Sequence, residues 1–293
     1  MNIPTKKLTS GFEMPVFGLG TWEMGGRMER DETHDARDIE AIKKAIKSGI
    51  THIDTAEKYA AGHAEELVGQ AIVGEARSKL FLVSKVADGH HSHDGVNRAL
   101  EGTLKRLGTD YLDLYLLHAP DQNVHIRETM RAMNSLVKQG LVKNIGVSNF
   151  SVEQFKMAQE YSEEKLVANQ LHYNLHIREL ERSGALQYYQ ENDVLVIAWR
   201  PLQKNIVLED GKDILTEVGR KHDKTPAQVA INWLLSQKNI VTMSTMRDSR
   251  HLEENLGAVG WALSNEDTEY LRESFPDQKD VSDVFPLPDW KWE

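Results

Sequence analysis

The chain has 293 residues, enough for one large domain or two small ones, and its 40% apolar and 27% charged residues exclude collagen-like, low-complexity and disordered classes. Its 35 basic and 45 acidic residues give a net charge of −10, which disfavours general binding to nucleic acid or to anionic membranes. The absence of cysteine excludes disulfides, thiolate nucleophiles, iron–sulfur clusters and cysteine-based zinc sites.

The first residues predict an N-terminal hairpin over residues 8–14 and no targeting signal. Residues 1–15, MNIPTKKLTSGFEMP, contain no apolar run of signal-peptide length. No later segment approaches the roughly 20 consecutive apolar residues that a membrane-spanning helix needs. We therefore expect a soluble, cytoplasmic protein whose partner is a small molecule rather than nucleic acid or a membrane. The oligomeric state stays open, with a monomer favoured.

Short apolar strands that alternate with amphipathic helices follow along the rest of the chain. A basic turn and a glycine precede several of these strands, as at Gly49, Gly108 and Gly140, and Asn192 takes the place of the glycine before another strand. Glycine and asparagine suit the left-handed position after a helix, and cations suit the negative end of the helix. The eight predicted strands lie near residues 16–21, 51–54, 80–85, 112–118, 142–147, 167–170, 194–198 and 240–244.

Eight strands with intervening helices are typical of a (β/α)8 TIM barrel, an α/β fold that needs ~250 residues. The remainder accommodates the hairpin and a long C-terminal tail from Phe275, and the lack of an internal linker predicts a single domain over residues 1–293. A doubly wound sheet is the competing fold, and it would carry a glycine-rich phosphate turn after its first strand. Residues 18–32, GLGTWEMGGRMERDE, lack that pattern, which favours the barrel.

Three successive predicted strands end in chemically active side chains, namely Asp54, Lys85 and His118. The functional residues of a (β/α)8 barrel lie at the C-terminal ends of its strands, so these side chains are expected to converge. Taken alone, each is better explained by a structural role, with Asp54 as a helix cap, Lys85 as an ordinary strand-end lysine and His118 as a core histidine. An acid, a base and a histidine at one end of the same barrel together predict a functional site.

Residues 54–69, DTAEKYAAGHAEELVG, have the spacing D-T-A-x-x-Y-x-x-G-x-x-E-x-x-x-G, and in this the chain resembles the aldo-keto reductase family. The segments GLGTW at 18–22, YLDLYLLH at 111–118 and GVSNF at 146–150 also match, so the resemblance covers about residues 6–275. It implies an oxidoreductase that reduces aldehydes, ketones or aldoses to alcohols. It also implies a catalytic tetrad of Asp54, Tyr59, Lys85 and His118.

The chemistry of carbonyl reduction is consistent with this tetrad. Hydride transfer to a carbonyl leaves an oxyanion, which needs a proton donor. A tyrosine with its reference pKa of about 10 is a poor acid at neutral pH. A lysine ammonium ~4 Å away favours the phenolate by roughly 4 kcal/mol at an effective dielectric constant of 20. Lys85 would therefore activate Tyr59, Asp54 would hold Lys85 in place, and His118 would polarise the carbonyl oxygen.

The hydride requires a cofactor, because no side chain carries one, and the resemblance implies NADPH with NADH as the alternative. Ser148, Asn149 and Gln170 would bind its carboxamide, and Trp199 would stack on the nicotinamide ring. The loop at 200–204 would run beside the pyrophosphate. The full set of contacts that the resemblance implies, with no metal, is Thr21, Trp22, Ser148, Asn149, Gln170, Trp199, Arg200, Pro201, Leu202, Gln203, Lys204, Ser244, Thr245, Met246, Arg247, His251, Glu254 and Asn255.

The chain departs from the family pattern where the adenosine 2′-phosphate would bind. Many family members carry a Lys-Ser pair and a later arginine there, but this chain has Thr245, Met246 and His251 at those positions. Phosphate recognition favours arginine or lysine. Arg247 and Arg250 are close enough in the sequence to substitute, so both NADPH and NADH remain candidates.

Other functions and placements stay open. The same residues would serve an alcohol or sugar dehydrogenase with Tyr59 as the base, and the fold would also suit a nucleotide-sensing binding subunit. The histidine cluster at 90–93 lacks carboxylate partners at helical spacing, which favours a solvated loop over a metal site. Four large tail residues either cover the pocket mouth or pack on the side of the barrel: Phe285, Leu287, Trp290 and Trp292.

Overall fold

The structure is a computed structural model that describes residues 2–275, 282, 284 and 287–292, so the tail residue Phe285 lies outside the described residues. Two short strands, β1 (Thr5–Lys7) and β2 (Glu13–Pro15), pair antiparallel and form the N-terminal hairpin. The ammonium group of Lys6 fastens this hairpin, because it donates to the carbonyl groups of Leu235, Gln237 and Ile240. None of the described helices is both long and apolar enough to cross a membrane.

Eight further strands close into a barrel, which confirms the predicted (β/α)8 fold. They are β3 (Phe17–Gly20), β4 (His52–Asp54), β5 (Phe81–Val86), β6 (Leu114–Leu117), β7 (Ile145–Ser148), β8 (Leu166–His172), β9 (Leu195–Trp199) and β10 (Ile240–Ser244). Strands follow their order in the chain around the barrel, and β10 closes on β3. Every predicted strand overlaps one of these, and the closed ring excludes the doubly wound sheet, which has two open edges.

The strands alternate with helices whose ends carry clear stop and start signals. The helices are α1 (Asp35–Lys47), α2 (His63–Ala71), α3 (His93–Leu107), α4 (Ile126–Lys138), α5 (Val152–Glu160), α6 (Glu179–Arg182), α7 (Ala185–Glu191), α8 (Ile206–Asp210), α9 (Lys212–His222), α10 (Pro226–Leu235), α11 (Ser249–Leu256) and α12 (Asn265–Ser274). Capping boxes begin α5 at Ser151 and α10 at Thr225, and each satisfies otherwise unpaired backbone amides.

The predicted junctions between helix and strand are correct at three glycines and wrong at Asn192. Gly49, Gly108 and Gly140 have φ values of 103°, 63° and 74°, the left-handed conformation that glycine adopts without strain. At the fourth junction the left-handed residue is Asp193, with φ of 57°, and Asn192 has φ of −94°. Asp193 is favoured there because its carboxylate accepts hydrogen bonds from the backbone N–H groups of residues 9 and 10, at 2.7 and 2.9 Å.

The chain divides into two compact units. One unit comprises residues 1–18 and 170–286, and we call it the terminal unit. The other comprises residues 19–169 and 287–293, and we call it the central unit. The expectation of a single domain over residues 1–293 stays a prediction.

Two residues of the D-T-A motif fix the packing of α2 in the central unit. The buried carboxylate of Glu65 accepts a hydrogen bond from Ser84 Oγ at 2.6 Å and pairs with Arg106 Nε at 2.6 Å. Gly69 lies so close to α3 that an added Cβ would come within 2.3 Å of the carbonyl oxygen of Arg106. These contacts tie α2 and α3 to β5 directly beside Lys85, so part of the motif is needed for structure rather than for chemistry.

His52 on β4 is a buried histidine that shares a strand face with Asp54. Its ring lies edge-on to Phe81, with centroids 6.0 Å apart, and neither ring nitrogen has a partner among the residues that the structure describes. Burial lowers the pKa of His52 to about 4, because the charged form would lose its water. The imidazole is therefore neutral at neutral pH.

We expect acid to destabilise the protein partly through His52. Its folded pKa of about 4 lies below the reference value of 6.5, so the unfolded state takes up the proton first as the pH falls through this window. As the pH falls from 6.5 to about 4, the protonation of His52 should lower the free energy of unfolding by about 3 kcal/mol. His52→Leu should flatten the decline in urea unfolding at neutral and acidic pH. His34→Leu removes an exposed histidine and should not flatten the decline. A decline in His52→Leu that is as steep as in the wild-type protein would contradict the prediction.

Candidate active site

Lys85 is the centre of a buried cluster at the C-terminal ends of β4 and β5 in the central unit. Its side chain has no exposed surface. Its ammonium group lies 2.6 Å from Asp54 Oδ1, 2.8 Å from the carbonyl oxygen of Thr55 and 3.2 Å from the hydroxyl oxygen of Tyr59. All three donor hydrogens of the ammonium therefore have an acceptor, and one of these acceptors is the tyrosine hydroxyl.

The charge state of Lys85 follows from the balance between burial and its neighbours. Burial acts to lower the pKa of Lys85, but the carboxylate of Asp54 and then Tyr59 act to raise it. The net result is a pKa above the usual value of 10.5. Lys85 is thus an ammonium ion at neutral pH, held by Asp54 against the hydroxyl of Tyr59.

Tyr59 lies on the loop that follows β4, where the backbone makes a tight turn. Ala60 and Ala61, directly after it, have φ values of 50° and 54°, an uncommon conformation for alanine. The ring of Tyr59 lies edge-on to Trp22 and to His118, with centroid distances of 5.0 and 5.5 Å. Two aromatic contacts and the bond to Lys85 therefore fix the position of the hydroxyl group.

His118 follows β6 and presents a neutral imidazole beside Tyr59. Burial, together with the charges of Lys85 and Lys58, lowers the pKa of His118 to about 3. Its carbonyl oxygen accepts a hydrogen bond from Asn149 Nδ2 at 3.1 Å. A neutral imidazole carries one N–H donor, so His118 is able to donate a hydrogen bond without carrying a charge.

The predicted cofactor residues of the central unit lie around this cluster. Thr21 Oγ1 donates to the carbonyl oxygen of Asp54 at 3.1 Å and so supports the backbone of the cluster. Asn149 follows β7 with φ of 60°, and its Nδ2 also lies 3.1 Å from Ser148 Oγ. Its Oδ1 atom is buried and has no partner within the described part of the chain. Asn149 therefore offers an acceptor to an amide N–H.

In the terminal unit, Trp199 ends β9 and its indole is partly covered by protein. The ring of His172, two residues after Gln170 on β8, stacks on Trp199 with a centroid distance of 4.1 Å and an interplanar angle of 14°. The guanidinium carbon of Arg200 lies 5.0 Å from the Trp199 ring centroid. The buried Gln203 contacts His172 Nε2 through its Oε1 at 2.6 Å, so the loop after β9 folds back onto β8.

The residues that the resemblance assigned to the 2′-phosphate surround the start of α11, also in the terminal unit. Met246 is buried, whereas Thr245 and His251 are exposed and Arg247 is half-buried. Arg250 forms an ion pair with Asp248 at 2.9 Å, and both side chains are exposed. Asn255 Nδ2 lies 3.5 Å from Ser244 Oγ, and the carbonyl oxygen of Glu254 accepts from Gln228. The side chain of Met246 thus lies in the protein interior.

The described part of the C-terminal tail packs against loops of the central unit. Trp292 Nε1 donates to the carbonyl oxygen of Asp121 at 2.8 Å, and its ring lies 5.8 Å from that of Phe150. The carbonyl oxygen of Trp290 accepts from Gln154 Nε2 at 2.9 Å. Phe150 and Asp121 follow β7 and β6, so Trp290 and Trp292 lie at the end of the central unit that carries Lys85.

The solvated loop predicted for the histidines at 90–93 holds for His90 and His93, which are exposed, and is wrong for His91. His91 is buried, His90 contacts Glu57 at 3.0 Å, and His93 contacts Asp94 at 3.3 Å. Lys58 and Asp88 form an ion pair on the loops after β4 and β5, and the sequence did not predict this pair. Lys58 is visible within the D-T-A motif, but its partner stands on a different loop, and no spacing rule brings the two together.

Almost the whole chain is similar to known proteins. The sequence profile of the Aldo/keto reductase family matches residues 16–275. Glyoxal reductase of Bacillus subtilis strain 168 is 34% identical over 287 residues, which cover 97% of this chain and 96% of that protein.

Two crystal structures extend this similarity to three dimensions. The thermostable aldo-keto reductase Tm1743, in complex with the inhibitor epalrestat, has a TM-score of 0.89 and 43% identity, with 92% of this chain and 99% of that chain covered. An aldo-keto reductase from Klebsiella pneumoniae in complex with NADPH has a TM-score of 0.82 and 33% identity, with 96% and 98% covered. Sequence and structure thus both resemble aldo-keto reductases over more than nine-tenths of the chain.

Proposed function

The chain belongs to the aldo/keto reductase family, whose members reduce carbonyl groups, and we propose that it reduces small aldehydes and ketones, including dicarbonyls such as glyoxal, with NADPH as hydride source and Tyr59 as proton donor. The observation that carries this proposal is the Lys85 ammonium, buried between the carboxylate of Asp54 and the hydroxyl of Tyr59. A buried cation at a phenol favours loss of the phenolic proton, which is the step that carbonyl reduction requires.

The proposed reaction adds a hydride to the carbonyl carbon and a proton to the carbonyl oxygen. Bound NADPH would supply the hydride, because no side chain carries one. Tyr59 gives its hydroxyl proton to the oxygen, and Lys85, 3.2 Å away, stabilises the phenolate that remains. Asp54 keeps the ammonium in place through the 2.6 Å contact. The neutral imidazole of His118 donates an N–H to the same carbonyl oxygen, which orients the substrate and stabilises the charge that develops there.

The unpartnered acceptor of Asn149 supports the proposed cofactor site. Its buried Oδ1 would accept a hydrogen bond from the nicotinamide carboxamide, which removes the cost of leaving it unsatisfied. Ser148 and Gln170 would complete this recognition, and Trp199 would stack on the nicotinamide ring. The other residues proposed to contact the cofactor are Thr21, Trp22, Arg200, Pro201, Leu202, Gln203, Lys204, Ser244, Thr245, Arg247, His251, Glu254 and Asn255, with Met246 contributing through its backbone.

We expect NADPH to support glyoxal reduction with a kcat/KM at least about tenfold higher than NADH, a difference of about 1.4 kcal/mol. Arg247 is half-buried two residues before α11, whereas Arg250 is exposed to solvent, which screens its attraction to a phosphate. Arg247 is therefore the arginine proposed to bind the 2′-phosphate. Arg247→Met should raise the Kd for NADPH about tenfold and leave the Kd for NADH almost unchanged. Loss of NADPH absorbance measures turnover, and quenching of tryptophan fluorescence measures binding.

Arg250→Met is the matched control and should have a smaller effect on NADPH binding. Equal activity with NADPH and NADH would contradict the phosphate site and favour the dehydrogenase direction. Binding of NADPH without reduction of any small carbonyl compound would contradict the proposed function and favour a nucleotide-binding subunit. A cytoplasmic location and a monomeric state stay predictions.

A further inference from the structure

Four charged side chains stand on three neighbouring loops at the catalytic end of the central unit. Glu57 and Lys58 lie on the loop after β4, directly before Tyr59. Asp88 lies on the loop after β5, three residues beyond Lys85, and Asp121 lies on the loop after β6, three residues beyond His118. We call these four residues the charged rim. Each member is thus within three residues of a proposed catalytic residue.

Two members of the rim hold the loop after β5 in place. Glu57 accepts from the backbone N–H of Ala87 at 3.0 Å and contacts His90 Nδ1 at 3.0 Å. Asp121 accepts from the backbone N–H of Gly89 at 3.1 Å. Residues on both sides of Asp88 are therefore anchored, and the carboxylate of Asp88 is held in a defined position.

The other two members form an ion pair with each other. Lys58 Nζ lies 2.8 and 3.0 Å from the two carboxylate oxygens of Asp88. The two side chains are 37% and 45% exposed, so the pair faces solvent at the rim. The charges also reach the catalytic cluster, since Lys58 acts to lower the pKa of His118 and Asp88 acts to raise it.

We propose that the charged rim makes the enzyme selective for uncharged carbonyl substrates over carbonyl compounds that also carry a carboxylate, such as the anions of 2-oxo acids. This inference rests on the proposed function. Three carboxylates outnumber one ammonium group, and Asp88 already occupies that ammonium with both oxygens. An anionic substrate is repelled by the rim or has to displace Asp88 from Lys58, whereas an uncharged dicarbonyl meets neither cost. Lys58 and Asp88 are thus specificity-determining residues.

Glyoxal and glyoxylate test the proposal, because they have the same carbon skeleton and differ in one carboxylate charge. In the wild-type enzyme kcat/KM should be higher for glyoxal. Asp88→Asn frees Lys58 and removes one negative charge, so it should raise the glyoxylate-to-glyoxal ratio of kcat/KM about tenfold, an effect that salt should reduce. The value for glyoxal itself should change by less than about threefold.

Two further variants separate specificity from loop structure. Lys58→Met combined with Asp88→Asn should return the ratio to the wild-type value, because no free ammonium remains. Glu163→Gln removes a carboxylate from the exposed pair with Lys138 and changes the net charge equally, and it should leave the ratio unchanged. An unchanged ratio in Asp88→Asn, or an equal loss for both substrates, would overturn the proposal. A wild-type enzyme that reduces neither substrate would instead overturn the proposed function.

Discussion

Tyr59→Phe is expected to lower kcat for glyoxal reduction by about 10²–10⁴-fold, the range that general acid catalysis contributes. The variant keeps the ring that contacts Trp22 and His118 but loses the hydroxyl that Lys85 holds at 3.2 Å. Without this hydroxyl, the oxyanion that the proposed hydride transfer forms would lack the proposed proton donor. The Kd for NADPH should stay within about twofold of the wild-type value, because the hydroxyl is proposed to act on the substrate. Single-turnover kinetics and fluorescence titration measure the two quantities separately.

The matched control for Tyr59→Phe is Tyr161→Phe. The hydroxyl of Tyr161 accepts from Arg127 at 3.3 Å on the exposed surface, so its removal should leave kcat unchanged. A Tyr59→Phe variant that kept kcat within about threefold would show that another group donates the proton. His118 would then be the first candidate, because its ring lies next to that of Tyr59.

The barrel could be predicted almost completely, since it depends on local patterns. Alternating apolar segments and helices, with glycine at the junctions, predicted all eight barrel strands. The one misplaced junction shows the limit of such patterns. Asparagine and aspartate both tolerate the left-handed conformation, and the choice of Asp193 over Asn192 depends on hydrogen bonds from residues 9 and 10, far away in the chain.

The candidate site was predictable to the extent that its residues end strands or lie in one motif. Asp54, Lys85 and His118 follow from the barrel geometry, whereas Tyr59 stands on a loop and required the motif spacing. The contacts of Lys58 with Asp88 and of His172 with Trp199 join different loops or strands, which one-dimensional periodicity does not relate. A partial signal existed for His172, because it shares a strand face with Gln170.

Lys85→Met is expected to lower both activity and stability, for two different reasons. Loss of the ammonium removes the group proposed to stabilise the phenolate of Tyr59, so kcat should fall by about 10³-fold or more. It also leaves the carboxylate of Asp54, itself 1% exposed, without its cation in the interior. Removing one partner of a buried ion pair costs about 3–5 kcal/mol, because the remaining charge stays uncompensated. Urea unfolding at neutral pH measures this loss.

The double variant Asp54→Asn with Lys85→Met separates the two effects. An amide at position 54 removes the buried charge, so most of the lost free energy of unfolding should return. The ammonium is still missing, so kcat should stay as low as in Lys85→Met. If activity returned together with stability, the low activity of the single variant would reflect a misfolded site, and Lys85 would hold the structure without acting on Tyr59. If stability returned without activity, the result would show that proton transfer requires the ammonium. The buried Asp54–Lys85 pair would then be present in the barrel because the chemistry depends on it.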